Sequence, residues 1–298
     1  MSYQIEYRHL KYFLAVAETL HFRKAAEKLF ISQPGLSRQI KEMEENLGVK
    51  LFDRHNRHVK FTAAGLYLKD ELTKNLNSLE AILHHAKLLE DGKDGQLNFG
   101  YVGSAMQNII PELLINFTKD HPNILFSLKE MDNNKQIEGL LCQDIDIGFV
   151  RLERVPRGLH IKPILKEPFC LVVPLEHQLN TSNFKQLSQL KDEHFILFDP
   201  EYSASYYEKV MAIFDDSGFS PIISHNTIHA GSIYKLVENN FGVSIVPKSL
   251  IDENNSKIKF IELNKIPHRT VLSVIWNKEN RNPILNKILA LIHNKNIN

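Results

Sequence analysis

Residues 25–48 read AAEKLFISQPGLSRQIKEMEENLG, and the fold of the N-terminal part of the chain turns on this stretch. Leu36, Ile40, Met43 and Leu47 recur at helical spacing and make one apolar stripe. Ser32 stands before that stripe as an N-cap, Pro34 fits a first turn, and Gly48 is a natural stop. Gln33, Pro34, Ser37 and Arg38 fall on the opposite side of the same turns. Upstream, Phe22, Ala25, Ala26 and Leu29 form the stripe of a second helix, and Leu10, Phe13, Leu14 and Ala17 that of a first. The Ala25–Ala26 pair is small enough to let a neighbouring helix approach.

A helix whose apolar face packs on its predecessor and whose N-terminal turns are polar has the layout of a DNA recognition helix. Arg38 suits guanine O6 and N7, Gln33 suits adenine N6 and N7, and Ser32 and Ser37 suit phosphate oxygens. Downstream, residues 49–52 and 59–62 are strand-like runs around a basic, polar turn at 53–58, the pattern of a β-hairpin wing. Arg54, Arg57 and Lys60 are placed to follow a phosphate backbone or to enter a minor groove. His55 and His58 have no third ligand nearby, so neither a metal nor a cofactor is expected.

Charge supports a DNA partner once it is divided. Residues 1–60 hold eleven Lys/Arg against seven Asp/Glu, whereas the remainder holds 25 against 28. A basic head on a mildly acidic body fits docking on phosphate. The N-terminus carries no apolar run and no stretch approaches a membrane span, so a cytoplasmic protein without a membrane partner is expected. With two cysteines, Cys142 and Cys170, no disulfide framework is written.

From 62 to about 90 there is no proline, and Leu68, Leu72, Leu76, Leu79, Leu83 and Ala86 keep a 3–4 spacing. Such a seam pairs with another helix, which makes the unit a homodimer or homotetramer. Residues 91–95, Asp-Gly-Lys-Asp-Gly, end the helix in a hinge. Beyond them strands are expected at 97–102, 124–129 and 145–150, alternating with helices at 109–118 and 135–142, the order of a parallel α/β sheet. A second unit follows, with strands at 170–173 and 243–246 and helices at 207–214 and 233–238. The segments 271–276 and 285–292 return to the first unit.

The run from Ala25 to Gly65, with its Ser-Gln-Pro-x-Leu-Ser-Arg-Gln-Ile motif, resembles the DNA-binding domain of LysR-type transcriptional regulators. The match is nearly continuous from Leu10 to Gly65. Gly35 departs from the helix former usual there, and His21 from a small capping residue, which weakens the expected start of each helix. The resemblance implies an α/β protein in three parts: a winged helix-turn-helix at 1–62, a dimerisation helix at 63–91 and a two-lobed, periplasmic-binding-protein-like effector domain at 92–298. Its first lobe would span 96–163 and 268–298 and its second 164–267, with hinges at 159–168 and 262–269.

In such folds ligands sit between the lobes, at strand ends and helix starts. That points to Ser104, Met106 and Gln107 after the first strand, Asn133 after the next, and Arg151 after the third. From the second lobe come Ser203, Ser205, Tyr206 and His229. Arg151 and the Ser104 loop argue for an anionic small-molecule effector. The stretches 100–104 and 148–152 are similar to the subgroup controlling aromatic-compound catabolism. No nucleotide-binding loop, nucleophile elbow or metal cluster is present to suggest an enzyme. A redox-sensing member of the same family, or a DNA-binding protein without an effector, remains open.

Overall fold

The computed structural model describes residues 4–55, 58–90, 94–107 and 109–294. Contacts divide the chain into two units, Met1–His84 and His85–Asn298.

In the first unit, three helices, α1 (Tyr7–Thr19), α2 (Phe22–Lys28) and α3 (Gln33–Leu47), precede a hairpin of β1 (Phe52–His55) and β2 (His58–Phe61). The expected stripes meet: Phe13, Val16, Ala25, Leu36, Ile40 and Met43 are buried in one core. Phe52 packs tilted or edge-on against Phe13, Phe22 and Phe61, which ties the hairpin to the helices. Ser32 Oγ accepts the Gly35 amide at 3.3 Å, as an N-cap should. Gly35 assists this cap, because a Cβ there would lie 3.0 Å from Ser32 Oγ. His21 also caps its helix, its Nδ1 accepting the Lys24 amide at 3.4 Å. Both departures are therefore accommodated, against the weakening expected from propensity alone.

The wing differs from its sequence pattern. Residues 49–51 are not strand, and pairing runs from Phe52↔Phe61 to His55↔His58. The hairpin starts late because Glu44 Oε1 accepts the amides of Leu51 and Phe52, at 2.8 and 3.1 Å, and holds that segment to α3. Arg54 and Lys60 thus lie along the strands rather than in a long turn.

Helix α4 (Ala63–Glu90) carries the leucine seam, and the seam divides. Leu68 and Leu72 pack on the head core and Leu76 is buried, whereas Leu79 and Leu83 are 38% and 61% exposed. Residues 91–93 of the expected hinge lie outside the described residues.

The second unit folds as two lobes. Its first lobe is built from β3 (Gly95–Tyr101), α5 (Gly103–Met106), α6 (Ile109–Asp120), β4 (Ile124–Glu130), α7 (Asn133–Leu141), β5 (Ile147–Val150) and β6 (Leu159–Glu167). The second has β7 (Phe169–Pro174), β8 (His194–Phe198), α8 (Ala204–Asp216), β9 (Ile222–Thr227), α9 (Ala230–Glu238), β10 (Ser244–Pro247) and β11 (Ile258–Glu262). The chain then returns through β12 (Thr270–Asn277) and α10 (Pro283–Asn294). The first sheet has the order β4-β3-β5-β12-β6, parallel through β4, β3 and β5 and antiparallel at β12. The second lobe joins an antiparallel β10-β7-β11 to a parallel β8-β9 pair through a bridge between Phe195 and Val243. The expected parallel sheet is therefore mixed.

Residues 159–168, read as a connector, form the nine-residue strand β6 and a single crossing residue, Pro168. The first lobe extends to Glu167 instead of ending at 163, because β6 pairs with β12 along its whole length. Its polar alternation belongs to an edge strand, and an edge strand reads like a loop. Paired glycines position α7: Gly100 stands opposite Gly148 in the β3–β5 ladder. A Cβ on either would approach within 2.9 Å of the Gln136 side chain.

Candidate functional site

In the head, α3 buries Leu36, Ile40 and Met43 and leaves Ser32, Gln33, Pro34 and Arg38 exposed, with Ser37 half-buried. The five lie where the spacing predicts, at the first two turns. A shallow groove beside them runs past His21, Arg23 and Val59, joining α2, α3 and β2. Arg23, paired with Glu27 at 3.1 Å, was not singled out from the sequence; its place at the start of α2 is a signal that could have found it. Behind the reading face, the buried His9 ring on α1 meets Gln39 of α3 at 3.1 Å and accepts the Glu6 amide. The Arg54 side chain and Arg57 lie outside the described residues.

In the body, a cavity of about 240 Å³ opens between the lobes. The first lobe supplies Tyr101, Ser104, Met106, Gln107, Glu130 and Arg151, and the second Phe198, Tyr202, Tyr206 and His229. Seven of the nine expected effector residues, Ser203 among them, therefore line one space. Asn133 and Ser205 do not; both hold the backbone of Arg151. Asn133 Oδ1 accepts the Arg151 amide at 3.1 Å, and the Ser205 hydroxyl donates to the Arg151 carbonyl.

Arg151 is not the free cation expected from the sequence. Its Nη2 lies 2.6 Å from Glu167 Oε1, and both side chains are nearly inaccessible. Nη2 also donates to Ser249, Nη1 to Thr270 and Nε to Ser104, at 2.9, 3.3 and 3.1 Å. Burial lowers its pKa, and Glu167 acts against that shift. Glu167 also accepts from the Ser249 amide and hydroxyl, at 2.6 and 2.8 Å. This network draws together the end of β5, the crossing point of β6 and β7, the start of β12 and the turn after β10. Glu167, Ser249 and Thr270 escaped sequence reading, because they come 16 to 119 residues from Arg151.

Two further groups in the cavity were missed, Glu130 and Tyr202. Glu130 Oε1 accepts from the Tyr202 hydroxyl at 3.3 Å and lies 3.6 Å from His229 Nδ1. Burial, reinforced by the Glu130 charge, raises the pKa of Tyr202 and of Tyr101, so both phenols stay protonated. Tyr206 is buried and spends its hydroxyl on the Ile245 carbonyl.

The cysteines fall in different lobes, Cys142 at the end of α7 and Cys170 within β7. Burial pushes the Cys170 thiol up to about 12, so it is not a thiolate at neutral pH.

The head and body each match a family model. Residues 7–66 match the bacterial regulatory helix-turn-helix protein, lysR family, and residues 90–296 the LysR substrate binding domain. The chain belongs to the LysR family of transcriptional regulators. Like other LysR regulators, it is a DNA-binding protein and not an enzyme. The HTH-type transcriptional regulator AlsR of Bacillus subtilis is 31% identical over 96% of this chain and 95% of its own. An HTH-type regulator of Escherichia coli, YnfL, is 32% identical over 92% and 93%. The solved structure of full-length CbnR with its target DNA superposes with a TM-score of 0.71, at 28% identity over 98% of this chain and all of that one. Among the described residues, no helix of this LysR protein is long and apolar enough to cross a membrane.

Proposed function

We propose that this LysR regulator reads its operator through Gln33, Ser37 and Arg38 of α3, with Ser32 and Pro34 at the phosphate edge and Arg54 and Arg57 of the wing beside them. We further propose that a small organic acid, held between the lobes of the body, controls it. The observation that carries this reading is the cavity, since the two lobes contribute to one space. An apolar cavity of about 150 Å³ holds benzene, so one of about 240 Å³ suits a single ring or branched chain with a polar end. Tyr101, Met106 and Phe198 would take the apolar part. Ser104 Oγ accepts from Arg151, which leaves its own proton to donate to an acid. Arg151 thus orients Ser104 and is not itself the counter-charge.

A ligand touching both lobes shifts the equilibrium between hinge angles by its differential affinity for them. The exposed half of the α4 seam, at Leu79 and Leu83, would pair with a second copy and give a homodimer or homotetramer. The test is calorimetry with a panel of small organic acids, followed by footprints with the best binder. Met106→Trp, which fills the cavity, should abolish binding and the footprint change while operator binding persists. An unaltered response in that variant would place the sensor elsewhere.

A further inference from the structure

The charges around the cavity narrow the ligand further, on the reading that this cavity is the effector site. The geometry points to an effector that carries an amino group beside its acid, as a free α-amino acid does. Arg151 and Glu167 cancel each other in a buried pair, so they give the cavity no net charge. Glu130 remains, a carboxylate lining the same space. It accepts one hydrogen bond, from Tyr202, and His229 Nδ1 at 3.6 Å is beyond hydrogen-bond reach. A carboxylate offers about four acceptor sites, and the Glu130 side chain is about a third exposed, so an incoming donor would replace water at the rest. A plain anion would set its charge near this carboxylate, and among the described residues the lining holds, besides the paired Arg151, only the His229 ring to offset it.

Placement fixes the relation between the two polar groups of the ligand. A Cβ on Gly103 would lie 2.9 Å from Glu130 Oε1, so the carboxylate stands directly beside the residue preceding Ser104. A donor, the Ser104 hydroxyl, and an acceptor, Glu130, therefore line the same cavity from adjoining positions of the backbone. An ammonium and a carboxylate borne on one carbon present the matching pair. Tyr101 and Tyr202 line the wall beside Glu130, and aromatic rings add attraction for an ammonium group. The side chain of the amino acid would extend toward Met106 and Phe198.

The experiment is calorimetry on the full-length protein with the free standard amino acids. Each binder is compared with its des-amino acid, for example leucine with 4-methylpentanoate and phenylalanine with 3-phenylpropanoate. At least one amino acid should bind tenfold or more tightly than its des-amino partner. Glu130→Gln should weaken that amino acid by about tenfold to a hundredfold and erase the preference. Glu130→Asp, which keeps the charge and safeguards the test if the amide variant misfolds, should fall between the two. Binding of no amino acid, or of des-amino acids equally well with Glu130→Gln unaffected, overturns the inference and leaves the cavity reading standing. Amino acid binding that survives Met106→Trp overturns both.

Discussion

The head and the body use polar side chains in opposite ways. On α3, Gln33 and Arg38 stand exposed on a helix whose other face is the core, so their donors are free for a partner. In the body, Arg151 is as polar as Arg38 but is buried and consumed by Glu167, Ser249, Thr270 and Ser104. One arginine is offered outward and the other holds two lobes and two crossing strands together. Residue type therefore says little about a role until the surroundings are known. An arginine at a strand end beside a cavity can be a fixture of the hinge.

The strongest way to break this contrast is to remove each arginine. Arg151→Ala leaves Glu167 buried without its partner and should destabilise the body by about 3–5 kcal/mol. Arg151→Met combined with Glu167→Leu should recover much of that loss, read as thermal or urea unfolding. A single variant as stable as the wild type would show the network to be ornamental. Arg38→Ala should leave stability unchanged and lose about 1–3 kcal/mol of preference for the correct base, measured as the operator-to-random DNA affinity ratio. An unchanged ratio would move recognition off α3.

A smaller effect sharpens the comparison inside the head, where Ser32 has both a structural and a reading role. Ser32→Ala should cost the head about 1 kcal/mol of stability through loss of the cap to Gly35. Ser32→Asp should restore the stability while reducing operator affinity, because it sets a negative charge against phosphate. Recovery of both would remove Ser32 from the DNA face.

The smallest expected effect concerns exposed charges of the body, which should act as weakly as any surface pair. Hydrogen bonds from Lys248 and Asn264 hold the Glu262 carboxyl below its usual value of 4.5. A folded pKa below the unfolded one stabilises above the unfolded value, and that stabilisation is lost as pH falls through the folded value. Glu262→Gln should therefore cost under about 1 kcal/mol at pH 7, a cost that shrinks as the pH falls below 4.5. Thermal unfolding across that range checks both the size and the sign.

The head was legible because its fold and its reading face share one short segment. Helical period assigns Leu36 and Ile40 to one side and Gln33 and Arg38 to the other, and no distant residue alters that geometry. Even there, Gly35 and His21 read as weak points, since propensity could not show the amides of Gly35 and Lys24 meeting their caps. The body was legible in its strongly apolar strands, such as β5 and β7, which are buried throughout. It was not legible in β6 and β9, whose exposed positions give the mixed pattern of sheet edges.

By itself the sequence determined the helix-turn-helix, the polar face of α3, the long α4 helix and the strand-end segments that face the cavity. These follow from periodicity and capping, which act over a few residues along one chain. Only the tertiary structure decided that Arg151 is neutralised, that Glu130 and Tyr202 enter the cavity, and that half of the α4 seam is covered by its own head. Charge pairing and burial depend on which groups meet in space. The partners of Arg151 lie up to 119 residues away along the chain, where no local pattern can register them.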